Sequence, residues 1–222
     1  MKKVIEIRAA EGGEDSKLFV RDLAQAYQRQ FNKAGWINHI TKDLPGELYI
    51  EVEGKDLFGL DNEAGGHRIQ RVPPTERKGR VHTSTVTVAV IDPEIKEKTY
   101  SENDFRIEWF SGTGGGGQHR NKHQNSCRIT HIPSGMVSTA QTRSRQNSLN
   151  EAKESLIKQL TYEHYREVKS ELAQDRKNQV GSGMRGDKIR TYRFRDDSVE
   201  DHNTGKSASV TKVMKGNFDL LW

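Results

Sequence analysis

Residues 111 to 123 read SGTGGGGQHRNKH, placing Gly112, Gly114, Gly115, Gly116 and Gly117 ahead of Gln118. A carboxamide neither takes nor gives a proton near neutrality, so Gln118 is no general acid or base. Such a loop can offer backbone N–H groups, place a water and borrow groups from a partner. Glycine lets the backbone approach a reacting centre closely, and one preorganised donor to a developing oxyanion contributes about 2.7–4 kcal/mol. Other chemistries fail on context. Gly112, Gly114 and Gly117 spell a formal G-x-G-x-x-G, yet no βαβ unit or acidic residue about twenty positions on follows. A nucleotide-hydrolase loop needs Lys-Ser/Thr where Gln118 stands. There is no G-x-S-x-G elbow, and Ser111 has no evident base. His119, His123, Cys127 and His131 recur every four residues, a zinc pattern on a helix, but CRITHI alternates as a strand and would scatter that face. No metal and no cofactor are expected.

The charge around this loop names a class of partner. From Trp109 to Asn150, 42 residues carry no Asp or Glu but include Arg120, Lys122, Arg128, Arg143 and Arg145. A solvated face interleaves both signs, so a one-sign stretch implies a polyanion, nucleic acid being the commonest. Over the whole chain the excess is small, 36 Lys and Arg against 31 Asp and Glu, net +5. Cys127 is the only cysteine, which excludes an internal disulfide and fits a reducing compartment. No apolar run approaches a membrane span, and the first residues alternate as a strand without the apolar stretch of a secretory signal. A cytoplasmic protein is expected.

The elements that must position these residues suggest an α+β chain. KKVIEIRA alternates as a strand, and Leu18, Phe19, Leu23, Tyr27 and Phe31 follow at helical spacing toward Gly35. GELYIEVEG and GRVHTSTVTVAVI read as further strands, with the turn-prone VPPTERKG before the second. DPEIKEKTYSEND reads as a linker. Beyond it come the strand FRIEWF, the glycine loop, and two strands around the turn at 133 to 135. A helix from about Arg145 to Lys177 carries Leu149, Ala152, Leu156, Leu160 and Tyr165 on its apolar positions. The loop VGSGMRGDKIRTYRFRDD then holds five cations against one acid between Met184 and Arg195, and the apolar tail FDLLW should pack onto a domain.

Gly116-Gly117-Gln118, WFSG before it, HRNKHQNSCRITHIPSGMV after it, GSGMRGDKIRTYRF and EAGGHRIQRVPPTERKGRVHTSTVTVAV together resemble the class-I peptide chain release factors of bacterial type. The resemblance covers nearly the whole chain. It implies a codon-recognition domain at 1–95, an α/β-sandwich-like superdomain with the C-terminal segment packed on it. It implies a peptidyl-tRNA hydrolysis domain at 103–178, a short sheet plus a long helix, and a switch loop and C-terminal segment at 179–222. It gives Gly116, Gly117 and Gln118 the catalytic role: the Gln118 backbone N–H stabilises the transition state or leaving group while its side chain shapes a pocket for water. Gly117 is expected to need a special backbone conformation. Pro73-Pro74-Thr75 resembles the PxT tripeptide of factors reading UAA and UAG; Gln70, Thr75, His82 and Thr83 fall on positions that contact or stack on the codon, and Gly12, Gly13 and Asp15 on the helix tip facing the first uridine. Arg120, Lys122, Arg128, Arg143, Arg145, Arg185, Lys188 and Arg190 are expected RNA contacts, and Gln118 an N5-methylation site.

The implied partners are the ribosome with its 16S and 23S rRNA, the mRNA stop codon, the P-site peptidyl-tRNA and a glutamine methyltransferase; a monomer is expected, with no membrane. The chain starts directly at the codon-reading domain, implying a compact form without the family's N-terminal helical domain, which puts contacts with the recycling GTPase in doubt. GGED places Asp15 where the family usually has Glu, and the glycine loop is two residues longer than the usual SGAGGQ. Two competing readings are a codon-independent rescue hydrolase, against which the retained codon-reading region and the apolar FDLLW end argue, and a non-catalytic ribosome-binding decoy, against which the intact Gly-Gly-Gln argues.

Overall fold

The structure is a computed structural model describing residues 1–92, 98–115, 117–118 and 122–222. It divides into two compact units, one of Met1–Glu94 with Leu172–Trp222, the other of Ile95–Glu171. The middle of the charged linker, 93–97, lies outside the described residues.

An eight-stranded sheet forms the first unit. Its strands are β1 (Lys2–Ala9), β2 (Ile37–Leu44), β3 (Glu47–Glu53), β4 (Gly65–Arg71), β5 (His82–Ile91), β9 (Arg190–Arg193), β10 (Ser198–Asp201) and β11 (Ser207–Ala208), in the order β11-β10-β9-β4-β5-β1-β3-β2. All pairs are antiparallel except β4 with β9. That parallel pair lets strands after residue 189 extend a sheet begun at residue 2. Helix α1 (Glu14–Ala34) lies on one face because Phe19, Leu23, Tyr27 and Phe31 recur on one side; all four are fully buried against Ile5, Ile7, Ile50, Val86 and Val88. Gly35 ends it in a left-handed conformation, its N–H donating to Asn32 O. The short helix α3 (Val210–Met214) and the tail complete the layer: Phe218 packs on Tyr27 with ring centroids 4.6 Å apart, Leu221 is buried, and Trp222 stacks on Trp36.

The second unit is a three-stranded antiparallel sheet, β6 (Phe105–Phe110), β7 (Ser126–His131) and β8 (Val137–Ala140), with helix α2 (Arg145–Val180) supplying the rest of its core. Ala152, Leu156 and Leu160 are buried with Cys127, Ile129 and Ala140, and Leu149 packs at the edge. The expected stripe stops there. Tyr165 is exposed, and from Leu172 the helix belongs to the first unit, where Gln179 donates to Val90 O and accepts from Val90 N–H, and Arg176 pairs with Glu6 at 2.7 Å. Cys127 and His131 stand on β7, so the helical zinc face does not form; among the described residues no group of three His, Cys, Asp or Glu side chains is placed to hold a metal. No described helix is long and apolar enough to cross a membrane.

Candidate functional site

The end of the β4–β5 pair gathers most of the residues expected to read a codon. Gln70 lies opposite Thr83 and Arg71 opposite His82. Pro73, Pro74 and Thr75 form the turn between these strands, closed by Glu76 N–H onto Pro73 O at 3.0 Å. The tip of α1 is tied alongside: Ala10 N–H donates to Thr85 O and Thr85 N–H to Glu11 O at 2.6 Å. Gly12 therefore presses on Ser84 with φ of 123°, where a Cβ would collide with the Ser84 side chain, so only glycine fits. Gly12, Pro74, Thr75 and His82 are exposed, Gln70 and Thr83 half-buried, and Pro73 buried.

Two expected contacts are corrected by their burial. Asp15 does not face outward; its carboxylate, 2% exposed, accepts from Arg71 Nε and Ser84 Oγ, each at 2.8 Å. A buried carboxylate needs such donors, so its side chain is committed to holding the tip and cannot reach a base. Arg190 is no RNA contact either: it is fully buried, donating to Glu63 at 2.5 Å and to Asp201 at 2.7 Å. The KIRTYR stretch becomes β9, whose parity turns Arg190 and Tyr192 into the core. Around this pair His67 Nε2 lies 2.9 Å from Glu63 O and Nδ1 lies 3.2 Å from Tyr192 Oη. Burial first, and the Arg190 charge second, lower the His67 pKa to about 4, so the imidazole is neutral.

Two residues that sequence reasoning passed over organise the cluster. Arg71 donates Nε to Asp15 and Nη1 to Asp22 at 2.6 Å, and its guanidinium packs over the Phe19 and Phe194 rings. It also lines an open cleft with Val72, Pro74, Gly79, Val81, Phe194 and Arg195. The signal was in HRIQR: read as a strand, His67, Ile69 and Arg71 share the inward face, and an inward arginine demands acidic partners. Glu76 is the other. Its carboxylate accepts from Lys78 N–H at 2.6 Å, Arg80 and His82, and these donors, the Lys78 N–H and the Arg80 guanidinium foremost, lower its pKa to about 2.

The loop at 181–189 begins where α2 ends, with Gly181 N–H on Lys177 O. Ser182 N–H donates to Asp187 Oδ2 at 2.7 Å, and Ile189 N–H to Gly66 O at 2.8 Å, laying the loop over the start of β4. The exposed Arg185 pairs with Glu11, the residue before Gly12, at 3.2 Å; Lys188 is half-buried.

In the second unit the glycine loop leaves β6 and returns to β7. Thr113 N–H donates to Gln141 Oε1 at 3.0 Å, and Asn125 Nδ2 donates to Arg143 O at 3.1 Å, anchoring both ends. Gly117 and Gln118 are exposed; Gly116 and Arg120 lie outside the described residues, as does His119. A Cβ at Gly117 would meet nothing within 4 Å. Gly114 has a φ of 113°, a backbone conformation that favours glycine. Lys122, Arg128, Arg143 and Arg145 are exposed. Arg145 lies 4.1 Å over the Trp109 ring and Arg128 5.8 Å over Phe110, so aromatic faces hold these guanidiniums.

The structure thus presents an exposed Gly-Gln pair on a small sheet-and-helix unit, and in the other unit a polar cluster at one end of a sheet beside a glycine-tipped helix. The chain belongs to the peptide chain release factor family: a PCRF domain matches residues 1–88 and an RF-1 domain residues 93–203. It is 40% identical to peptide chain release factor 1 of Thermotoga maritima over 99% of this chain and 67% of that protein, and 42% identical to that of Dictyoglomus thermophilum over 97% and 62%. The chain thus spans about two thirds of the length of the curated relatives it matches. A solved structure, RF2 of Thermus thermophilus, is similar with a TM-score of 0.56 and 28% identity, over 99% of this chain and 66% of that one.

Proposed function

We propose that this chain recognises the stop codons UAA and UAG in the ribosomal A site and triggers hydrolysis of the peptidyl-tRNA ester in the peptidyl transferase centre. The observation that carries the reading is identity of about 40%, sustained over nearly the whole chain, to proteins named peptide chain release factor 1. The chemistry is consistent. Water attacks the ester carbonyl carbon, the bond to the tRNA 3′ oxygen breaks, and that oxygen leaves with a proton. Gln118 moves no proton. Its backbone N–H faces the oxygen on which charge gathers, its carboxamide orders the water, and ribosomal RNA with the P-site tRNA supplies the remaining groups. Gly116 and Gly117 admit the backbone to that centre, and Lys122, Arg128, Arg143 and Arg145, with Arg120, take phosphates of the 23S rRNA and the tRNA end.

At the other site Gln70, Thr75 and Thr83 supply amide and hydroxyl groups that both donate and accept toward unpaired bases, His82 stacks, and Gly12 and Gly13 meet the first uridine with backbone. Pro73 and Pro74 stiffen the turn that carries Thr75. Arg185 and Lys188 contact 16S rRNA. A glutamine methyltransferase modifies the exposed Gln118 amide, read as one added methyl group by mass spectrometry of the native protein.

The test is release of labelled formyl-methionine from purified ribosomes programmed with UAA, UAG, UGA, a sense codon or no A-site codon. Release at UAA and UAG alone is the expected result. Equal release on every template would make the chain a rescue hydrolase, and binding without release a decoy.

A further inference from the structure

Residues 72–81, between β4 and β5, contain no strand, and one carboxylate organises them. Glu76 Oε1 accepts from Lys78 N–H at 2.6 Å; Oε2 accepts from Arg80 Nε at 3.1 Å, Arg80 Nη2 at 2.9 Å and His82 Nε2 at 2.9 Å. The Glu76 side chain is 5% exposed, whereas that of His82 is 43% exposed. A sheltered acceptor therefore grips one nitrogen of an imidazole whose rest is open to a ligand. We infer that Glu76 is a positioning residue for RNA recognition, fixing His82 in the Nε2–H tautomer and in one ring orientation.

The chemistry follows from the donor inventory. A carboxylate only accepts, so the nitrogen facing it carries the proton, and in neutral His82 the lone pair is left on Nδ1. No hydrogen bond to Nδ1 is present among the described residues. The other charges near the ring are engaged elsewhere: Arg80 shares the same carboxylate, and the cross-strand Arg71 is held by Asp15 and Asp22. The low pKa of Glu76 keeps it an acceptor throughout the neutral range. What remains is a ring face for stacking and an acceptor edge, suited to an unpaired purine with an exocyclic amine or to a ribose hydroxyl. Holding the ring in advance removes the rotational freedom it would otherwise lose on binding.

This inference rests on the proposed codon-reading function for its kinetic arm but not for its structural arm. Long-range 15N spectra of the imidazoles in the full chain, taken at the alkaline end of a pH series where the His82 shifts no longer change, should show His82 as Nε2–H in the wild type and as a tautomer mixture in Glu76→Gln. An Nδ1–H or mixed wild-type signal overturns the inference whatever the protein does on ribosomes. In release assays on UAA ribosomes, Glu76→Gln should raise the factor concentration for half-maximal rate about tenfold, the loss of roughly one hydrogen bond, with the maximal rate kept within about twofold. In the His82→Ala background the same substitution should add less than about twofold. An equal effect in both backgrounds makes Glu76 a loop scaffold and overturns the positioning role. If the wild type releases nothing at any stop codon, the proposed function fails while the spectra still decide the Glu76–His82 pairing.

Discussion

At the scale of single residues, two glycines at the candidate sites differ in what forbids a side chain. Gly12 is constrained by its own fold, through a left-handed φ and contact with Ser84. Gly12→Ala should therefore cost roughly 1–3 kcal/mol of stability, measured by urea unfolding, before any ribosome is added. At Gly117 a Cβ would meet nothing within 4 Å, so Gly117→Ala should unfold within about 0.5 kcal/mol of the wild type. If the reacting centre needs the bare backbone, the same variant should nonetheless release peptide about 10²–10³-fold more slowly. A wild-type release rate would remove Gly117 from the catalytic assignment, and a large stability loss would show that the chain itself restricts the position. The sequence showed which residues were unusual here but not what each faced. The run of glycines was plain; that Gly114 within it has a positive φ required the path of the loop.

At the scale of elements, the legible part of the sequence was the part that repeats. β1, β3 and β5 alternate, and α1 and α2 carry spaced apolar residues, so their existence could be read directly. β4 and β9 could not, because Ile69 is the lone aliphatic among inward positions otherwise held by His67, Arg71, Arg190 and Tyr192. Polar side chains can enter a core when they satisfy one another, and that pairing is non-local: Glu63, Arg190 and Asp201 come from three separate segments. Breaking such a network leaves an uncompensated buried charge, so Arg190→Gln should cost about 3–5 kcal/mol and loosen the loop at 181–189 that feeds β9. Hydrogen exchange at Ile189 and Thr191 reads the second effect. Were Arg190 an RNA contact instead, the variant would keep its stability and lose only ribosome affinity.

The same network predicts a pH dependence. Neutral His67 fits with Nε2–H donating to Glu63 O and Nδ1 accepting from Tyr192 O–H. Its folded pKa of about 4 lies below the unfolded value of 6.5. The unfolded chain then binds the extra proton first, so stability is full above about 6.5 and falls as pH drops toward 4. The loss is about 3 kcal/mol over that window. Unfolding free energies of the wild type and of His67→Gln at several pH values check this, the variant giving a flatter profile. Parallel profiles would mean that His67 titrates alike in the folded and unfolded chain, and that its burial does not hold it neutral.

At the scale of the whole molecule, charge is distributed by task. In the first unit, cations are widely matched: Arg8 with Glu6 and Glu47, Arg176 with Glu6, Arg185 with Glu11, Arg193 with Glu200. Through 109–150 there is no acid in the sequence to match them, and Arg145 and Arg128 rest on Trp109 and Phe110. An aromatic face orients a guanidinium without neutralising it, so the full charge stays available to a phosphate. Each phosphate contact releases counterions on binding, giving a slope of about 0.7 to 0.9 per contact in log affinity against log salt. Arg143→Gln and Arg145→Gln should each lower the slope of ribosome binding by about that amount, measured between about 50 and 200 mM salt. Arg166→Gln is the comparison, since Arg166 is exposed on α2 but paired with Glu163 at 3.0 Å; its slope should match the wild type. Unchanged slopes for Arg143→Gln and Arg145→Gln would mean that the acid-free segment does not touch RNA, and the polyanion reading of its charge would fall with them.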